Sequence, residues 1–440
     1  MSVLTRRGYV VESRPETRRD LTVRAIENAL GMRPPAFKVF KECVSQKNIV
    51  VPRFYGEETF GQASRDARPE PTKVSISFTG NLREHQIEAL DKYPGYGVLS
   101  LDTGLGKTVC ALAIAARMGV RTMIIVHKEF LANQWIERIR QFCPGSSIGR
   151  VQQEKCELDH PFVIAMIQTL CMRAHDPKTF ETIGLVIVDE AHHVGAPAFS
   201  QAMFTMCPRY TLGLTATPDR KDGLTRLLYW FLGPCFFSKH RTESNNVQVH
   251  AVRYMDPEYT KSPPVSRIGK VCLATMVNML VELPGRNTLL LDVIRSASRR
   301  HAHVLVLSDR RSHCEWIVKH LSPHAGLYMG GMKQEELDES AKKPIVVGTF
   351  SLAHEGLDIA TLSALVMVTP HSDVRQAVGR ILRAPGPKDI YDIVDTWSVL
   401  NAMYRRRQSI YRTAGFQTER DDESSTASIF ETGKCLIQIE

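Results

Sequence analysis

Lys107 and Thr108 stand directly after a turn containing Gly104 and Gly106, in the stretch YGVLSLDTGLGKTVCALAIAARM (residues 96–118). Glycines lack a Cβ, so several backbone N–H groups can converge on an anion there. A lysine at that point sets positive charge beside the β- and γ-phosphates of a nucleotide, and the next hydroxyl is a ligand for Mg²⁺. The alanine-rich stretch from Thr108 onward adds the partial positive charge of a helix N-terminus. The bland alternative is a glycine hinge between a buried strand and a helix. The first position of the pattern G-x-x-x-x-G-K-[ST] holds Leu101, so the turn alone leaves both readings open.

Other chemistry-bearing residues fall at the ends of apolar runs. LVIVDEAHH places Asp189 and Glu190 after such a run. A carboxylate on a strand next to a phosphate loop meets the Mg²⁺ held by the loop hydroxyl. A second one orients and deprotonates an attacking water. Alone, the pair reads equally well as an acidic cap on a strand. LGLTATPDRKDG (212–223) brings the hydroxyls of Thr215 and Thr217, and HEGLDI (354–359) and QAVGRILR (376–383) follow in order. Gln376, Arg380 and Arg383 are spaced i, i+4 and i+7, which puts them on one helical face. That face is either a solvated basic stripe or a source of charge for a transferring phosphoryl group. Gly379 favours the second, because a mid-helix glycine is costly without a close-packing role.

The elements that must position these residues alternate between short apolar runs and amphipathic stretches, the mark of parallel α/β sheets. YGVLSL, TMIIVH, FVIAMI, LVIVDE and YTLGLTAT form one series, with EFLANQWIERIRQF between them carrying Leu131, Trp135, Ile139 and Phe142 at helical spacing. The polar stretch SKHRTESNNVQ (238–248) reads as a connector. HVLVLS, KPIVVGT, ALVMVTP and IYDIVD form a second series. The expected division is a small N-terminal domain over 1–80, one α/β domain over 81–240 and another over 241–440. GQASRDARPEPTK (61–73) reads as a linker by composition.

The totals agree with a multidomain chain: 440 residues exceed what one core usually organises. A formal charge of +9 favours a polyanionic partner. The ten cysteines show neither zinc-knuckle spacing nor a compact disulfide scaffold, so they read as thiols of a reducing compartment. No run is apolar for long enough to span a bilayer, and the N-terminus lacks a signal-peptide core. An intracellular, soluble protein is expected, in nucleus or cytoplasm.

Taken together, the ordered set resembles helicase superfamily 2. TGLGKT matches its motif I, DEAH motif II, TATP motif III, EGLDI motif V and QAVGRILR motif VI. LREHQIEAL (82–90) is similar to the upstream element whose glutamine, here Gln86, contacts adenine. VHKEFLANQW is similar to motif Ia, with His127 and Lys128 in place of the usual Pro-Thr. TATPDRKDG and DEAHH narrow the resemblance to the branch of XPB-like and phage UvsW-like DNA helicases. The flanks FKVFKE…VPRFYG and IYDIVDTW…YRRRQSIYR are similar to helicases of large DNA viruses. The likeness covers about residues 80–400.

The resemblance implies two tandem RecA-like domains that close on MgATP and open after hydrolysis, stepping along a strand. It implies a nucleotide site of Gln86, Thr103, Gly104, Leu105, Gly106, Lys107 and Thr108, with Gly356 and Asp358 contributed by the second domain. Thr108 and Asp189 would hold Mg²⁺ and Glu190 would be the general base. Gln376, Arg380 and Arg383 would complete catalysis, and His192, Thr215 and Thr217 would couple hydrolysis to motion. DNA is the expected track. The alternatives are an RNA helicase, a nucleotide-gated clamp that separates no strands, or the motor subunit of a restriction nuclease. For the nuclease no paired-carboxylate-plus-lysine constellation stands out in the flanks.

The first 80 residues hold Arg6, Arg7, Arg14, Arg18, Arg19, Arg24 and Arg33 ahead of Phe37, Phe40, Phe54 and Tyr55. Arginine with aromatics suits a surface that grips phosphates and stacks on bases. Equally, the aromatics are the core of a small domain. On the first reading, a chain beginning near Gly80 stays folded and loses only nucleic-acid affinity.

Overall fold

The computed structural model describes residues 2–25, 35–43, 47–102, 104–173, 175, 176, 178–191, 197–216, 223–239, 246–254, 272–351, 359, 361–382 and 386–418. The chain divides into two compact units, Met1–His240 and Arg241–Glu440. Each is a layered α/β body built on a parallel sheet, consistent with tandem RecA-like domains.

The main sheet of the first unit has eight strands. In spatial order these are Lys155–Cys156, Ile148–Gln152, Phe162–Met166, Thr122–Val126, Leu185–Val188, Tyr210–Thr215, Val98–Leu101 and Cys235–Lys239. Pairing is parallel throughout except for the edge strand Lys155–Cys156. Helices cover both faces, so the central strands are continuous apolar runs rather than alternating ones. Val98–Leu101, Thr122–Val126 and Leu185–Val188 are buried at every position. The helix Lys107–Met118 carries the chain from Val98–Leu101 over to Thr122–Val126. The two strand positions it skips are filled later by Leu185–Val188 and Tyr210–Thr215. Three neighbouring strands therefore end on one edge of the sheet, with Thr215 paired to Ser100 and Val188 to Gly213. Such an edge, where the connectivity switches, is where open α/β sheets bind ligands.

The second unit has seven parallel strands in the order Ala325–Tyr328, Ile345–Thr349, Val304–Ser308, Ala364–Met367, Lys388–Asp395, Val247–Tyr254 and Gln417–Thr418. Two buried ion pairs brace it. Arg286 grips Asp395 through two bonds of 2.8 and 2.9 Å, and Arg407 donates to Asp392 at 2.7 Å. Removing one partner of such a pair strands a charge in the core, which costs far more than the pair itself contributes.

Among the described residues of 2–70, five strands form a sheet in the order Lys41–Glu42, Asn48–Val51, Gly8–Glu12, Val3–Thr5 and Arg65–Asp66. The last strand lies inside the stretch that composition marks as a linker. Within that stretch Arg68 is buried, clasps Asp66 at 2.9 Å and donates to the Pro208 carbonyl at 2.7 Å. Most side chains of the stretch, Arg65 among them, are exposed as the polar content suggests, and Arg68 is the buried exception among these described residues.

Phe40, Phe54 and Tyr55 are buried and Phe37 half-buried, so these rings serve packing and are not a stacking platform. Tyr55 meets Trp230 edge to face at 4.9 Å, and Phe54 meets Tyr96 at the same distance. One continuous apolar cluster runs from Leu4, Tyr9 and Ile49 through Tyr55 to Trp230 and Phe231. Arg6 pairs with Glu181, Arg14 with Glu12 and Arg18 with Glu42. Arg33 lies outside the described residues.

This shared core reverses the expectation for a chain beginning near Gly80. Deleting residues 1–79 uncovers Trp230 and Phe231, so the fragment is expected to aggregate or to lose cooperative unfolding. The single change Tyr55→Ala should cost about 3–5 kcal/mol, as aromatic-to-alanine changes in cores do. Thermal and denaturant unfolding check both, and a soluble, cooperatively melting fragment from Gly80 would refute the shared core.

Candidate active site

The strand Val98–Leu101 ends in Leu101, which is fully buried. This explains the departure from the usual glycine: the side chain points into the core while its carbonyl faces the loop and accepts Lys107 Nζ at 2.8 Å. The turn after it needs glycine at two points. Gly104 has φ +86° and Gly106 φ +83°, and L side chains rarely adopt either. Gly106 is the N-cap of the helix that starts with Lys107 and Thr108. The first backbone N–H groups of that helix are unpaired by the helix itself and carry its partial positive charge.

On the strand two positions away in the sheet, Asp189 follows Val188. Its backbone N–H donates to the Ile125 carbonyl at 3.1 Å. Oδ1 accepts the Glu190 N–H at 3.0 Å and Oδ2 accepts the indole N–H of Trp135 at 2.9 Å. Burial and the adjacent Glu190 carboxylate push Asp189 up to about 6, against the opposing pull of Trp135 and of the Lys107 charge. The influence of Lys107 places the phosphate-loop lysine and the acidic pair within electrostatic reach of each other. Glu190 sits at φ +48°, a left-handed conformation uncommon for a non-glycine residue and found disproportionately at functional positions. Thr215 is fully buried at the end of the intervening strand.

These groups suit MgATP on their chemistry. Mg²⁺ takes hard oxygen ligands, usually one or two protein groups plus phosphate oxygens and water. A hydroxyl on Thr108 and a carboxylate on Asp189 are such a set. A cation here would also offset the burial and the Glu190 repulsion that raise Asp189. The turn, the lysine and the helix N-terminus supply what a triphosphate requires.

In the second unit, Gln376 and Arg380 lie on the helix Arg375–Ile381. Arg380 is only 9% exposed, which removes the reading of a solvated basic stripe for this residue. The loop before that helix is held from two sides. His371 stacks on Phe350 at 4.3 Å, and its carbonyl accepts Arg407 at 2.7 Å. Thr103, His192, Thr217, Gly356, Asp358 and Arg383 lie outside the described residues.

The sequence profile of the family described as "Type III restriction enzyme, res subunit" matches residues 79–220. Protein L396 of Acanthamoeba polyphaga mimivirus, provisionally named an ATP-dependent RNA helicase, is 30% identical across 95% of this chain and 85% of its own. The chain belongs to the superfamily 2 helicases. Two other relatives of this helicase also come from large DNA viruses. Protein 161L of Invertebrate iridescent virus 6, provisionally named a helicase, is 26% identical over 78% of this chain and 83% of its own. QP509L of African swine fever virus (isolate Tick/Malawi/Lil 20-1/1983), provisionally named an ATP-dependent RNA helicase, is 26% identical over 76% of this chain and 73% of its own. Among solved structures, the Pyrococcus furiosus Hef helicase domain superposes with a TM-score of 0.49 over 74% of this chain and 98% of that one, at 16% identity. The family and the viral relatives make this helicase an ATP-hydrolysing, nucleic-acid-acting enzyme. Among the described residues no helix is long and apolar enough to cross a membrane.

Sequence reasoning missed how the helicase grips its own phosphate loop. The helix Glu84–Lys92 begins against the loop backbone. Gln86, only 3% exposed, donates from Nε2 to the carbonyls of Leu105 and Gly106, both at 3.2 Å, while its Oε1 caps the Arg83 N–H at 2.8 Å. His85 adds a contact to Leu105 O at 2.9 Å, and Arg83 one to Gly104 O at 3.4 Å. Gln86, read from sequence as an adenine contact, is thus also a brace of the loop. A methyl group on Gly106 would sit 2.2 Å from Gln86 Nε2 and would force a residue with φ +83° to carry a side chain. Gly106→Ala is accordingly expected to weaken nucleotide binding more than tenfold, measured by titration of a fluorescent ATP analogue. Removing the clash with Gln86→Ala in the same chain should not restore binding, because the backbone strain remains.

Proposed function

We propose that this helicase is a DNA-directed motor that uses Mg²⁺ at the junction of its phosphate loop and its Asp-Glu pair. The observation that carries the catalytic part is the convergence of Lys107, Asp189, Glu190 and Thr215 at the ends of three neighbouring parallel strands. Lys107 and the loop N–H groups would hold the β- and γ-phosphates, and Thr108 with Asp189 would hold the metal. Bound there, Mg²⁺ supplies charge neutralisation for the phosphoryl group in flight. Glu190 would take the proton of the attacking water. Arg380 and Arg383, with Gln376 beside them in the motif, would stabilise charge on the transferring phosphoryl group, with Gly356 and Asp358 meeting nucleotide and strand. His192, Thr215 and Thr217 would pass the change in the site to the track.

The DNA assignment rests on the likeness of DEAHH and TATPDRKDG to the XPB-like and UvsW-like branch. Against it, two viral relatives bear names that specify RNA. ATPase rates measured with single-stranded DNA, duplex DNA, branched DNA and RNA decide between the two. A DNA-directed motor should be stimulated several-fold more by at least one DNA form than by RNA of the same length. Equal or greater stimulation by RNA would replace DNA with RNA as the track, while no stimulation by any of them would favour the nucleotide-gated clamp.

A further inference from the structure

We propose that Trp135 is a positioning residue for Asp189, its indole N–H fixing one carboxylate oxygen so that the remaining lone pairs are presented to the metal shared with Thr108. The inference rests on the Mg²⁺–nucleotide reading above and gives a role to Trp135, the last residue of VHKEFLANQW, to which the resemblance assigns none.

Trp135 lies in the middle of the helix Glu129–Phe142, where its neighbours Leu131 and Ile139 face the core. At 2% exposure its ring is part of that core. A buried indole still carries one N–H donor, and leaving it unpaired is expensive. Here the acceptor is a carboxylate, so the bond is charge-assisted and stronger than a bond between neutral groups. Asp189 has two oxygens, and the indole takes Oδ2 while the Glu190 backbone takes Oδ1. The carboxylate cannot turn without breaking both bonds, and each oxygen keeps a lone pair for a ligand. Repulsion from the Glu190 carboxylate would otherwise favour turning it away.

Asp189 is also held from the same side through its backbone. Its N–H donates to Ile125, on the strand Thr122–Val126 that leads into the Trp135 helix. One strand–helix segment thus fixes both the main chain and the side chain of the proposed metal ligand. Outer partners of this kind typically govern metal affinity or activity by about 10- to 100-fold.

Trp135→Phe keeps an aromatic ring and removes the N–H. Benzothienylalanine at the same position keeps the bicyclic shape with sulfur in place of N–H, and serves where phenylalanine leaves a cavity that unfolds the chain. Nucleotide binding is read with a fluorescent ATP analogue across a Mg²⁺ titration and again in EDTA. Thermal unfolding is followed in parallel. The Mg²⁺ concentration for half-maximal binding should rise about 10- to 100-fold while binding in EDTA and the unfolding midpoint stay near wild type. In an Asp189→Asn background the Trp135 change should add nothing, because coupled residues are not additive. An equal loss of binding in EDTA, or a full additional effect on top of Asp189→Asn, would make Trp135 a packing residue only. If Asp189→Asn alone left the Mg²⁺ dependence at its wild-type value, the metal reading itself would fail and this inference with it.

Discussion

Glu190→Gln is expected to bind ATP and fail to turn it over. Glutamine preserves the size of the side chain and removes its ability to accept a proton. The backbone of residue 190 is held at φ +48° and its N–H is tied to Asp189, so the amide should occupy the place of the carboxylate. Losing a general base costs about 10²- to 10⁴-fold in rate. Removing a negative charge next to Asp189 also lessens the repulsion there, so affinity for the metal–nucleotide complex should hold or rise. Lys107→Ala is the contrasting case, because the lysine is proposed to hold the bound phosphates: it should weaken binding first. Single-turnover hydrolysis beside equilibrium binding separates the two. Turnover near wild type in Glu190→Gln would remove its role as base.

The parts of this molecule that were legible in sequence are those governed by local pattern. Apolar runs bounded by glycine and polar residues marked the central strands, since a strand covered on both faces has no polar side to show. Residues at the ends of those runs were legible because chemistry in a parallel sheet gathers at one edge. What the sequence concealed depends on long-range pairing. Trp135 stands at helical spacing in the sequence and is buried in the structure; only its N–H, a donor that had to find an acceptor, hinted at more. Arg407 stands among other arginines in YRRRQ, and nothing local shows that it alone turns inward to Asp392. The N-terminal aromatics were read as equally suited to bases or to a core. Their partner Trp230 lies 175 positions after Tyr55, a separation that composition cannot register.

The largest effect is expected at Arg383. It falls seven positions after Gln376 and three after Arg380 in the same sequence motif, and the phosphate loop belongs to the other compact unit of the chain. Such an arginine contributes about 10³- to 10⁵-fold to rate, because it meets charge that develops as the phosphoryl group transfers. Arg383→Ala should therefore abolish hydrolysis while ATP and nucleic-acid affinities stay within a few-fold of wild type. Arg383→Lys should recover only part of the rate, since lysine keeps the charge and loses the planar fork that engages two oxygens at once. Arg380 is the poorer choice for this test: it is buried, and its removal confounds catalysis with folding. The decisive comparison is hydrolysis against nucleic-acid binding in the same Arg383→Ala preparation. Normal hydrolysis with lost binding would assign the residue to the track and remove its proposed role in catalysis.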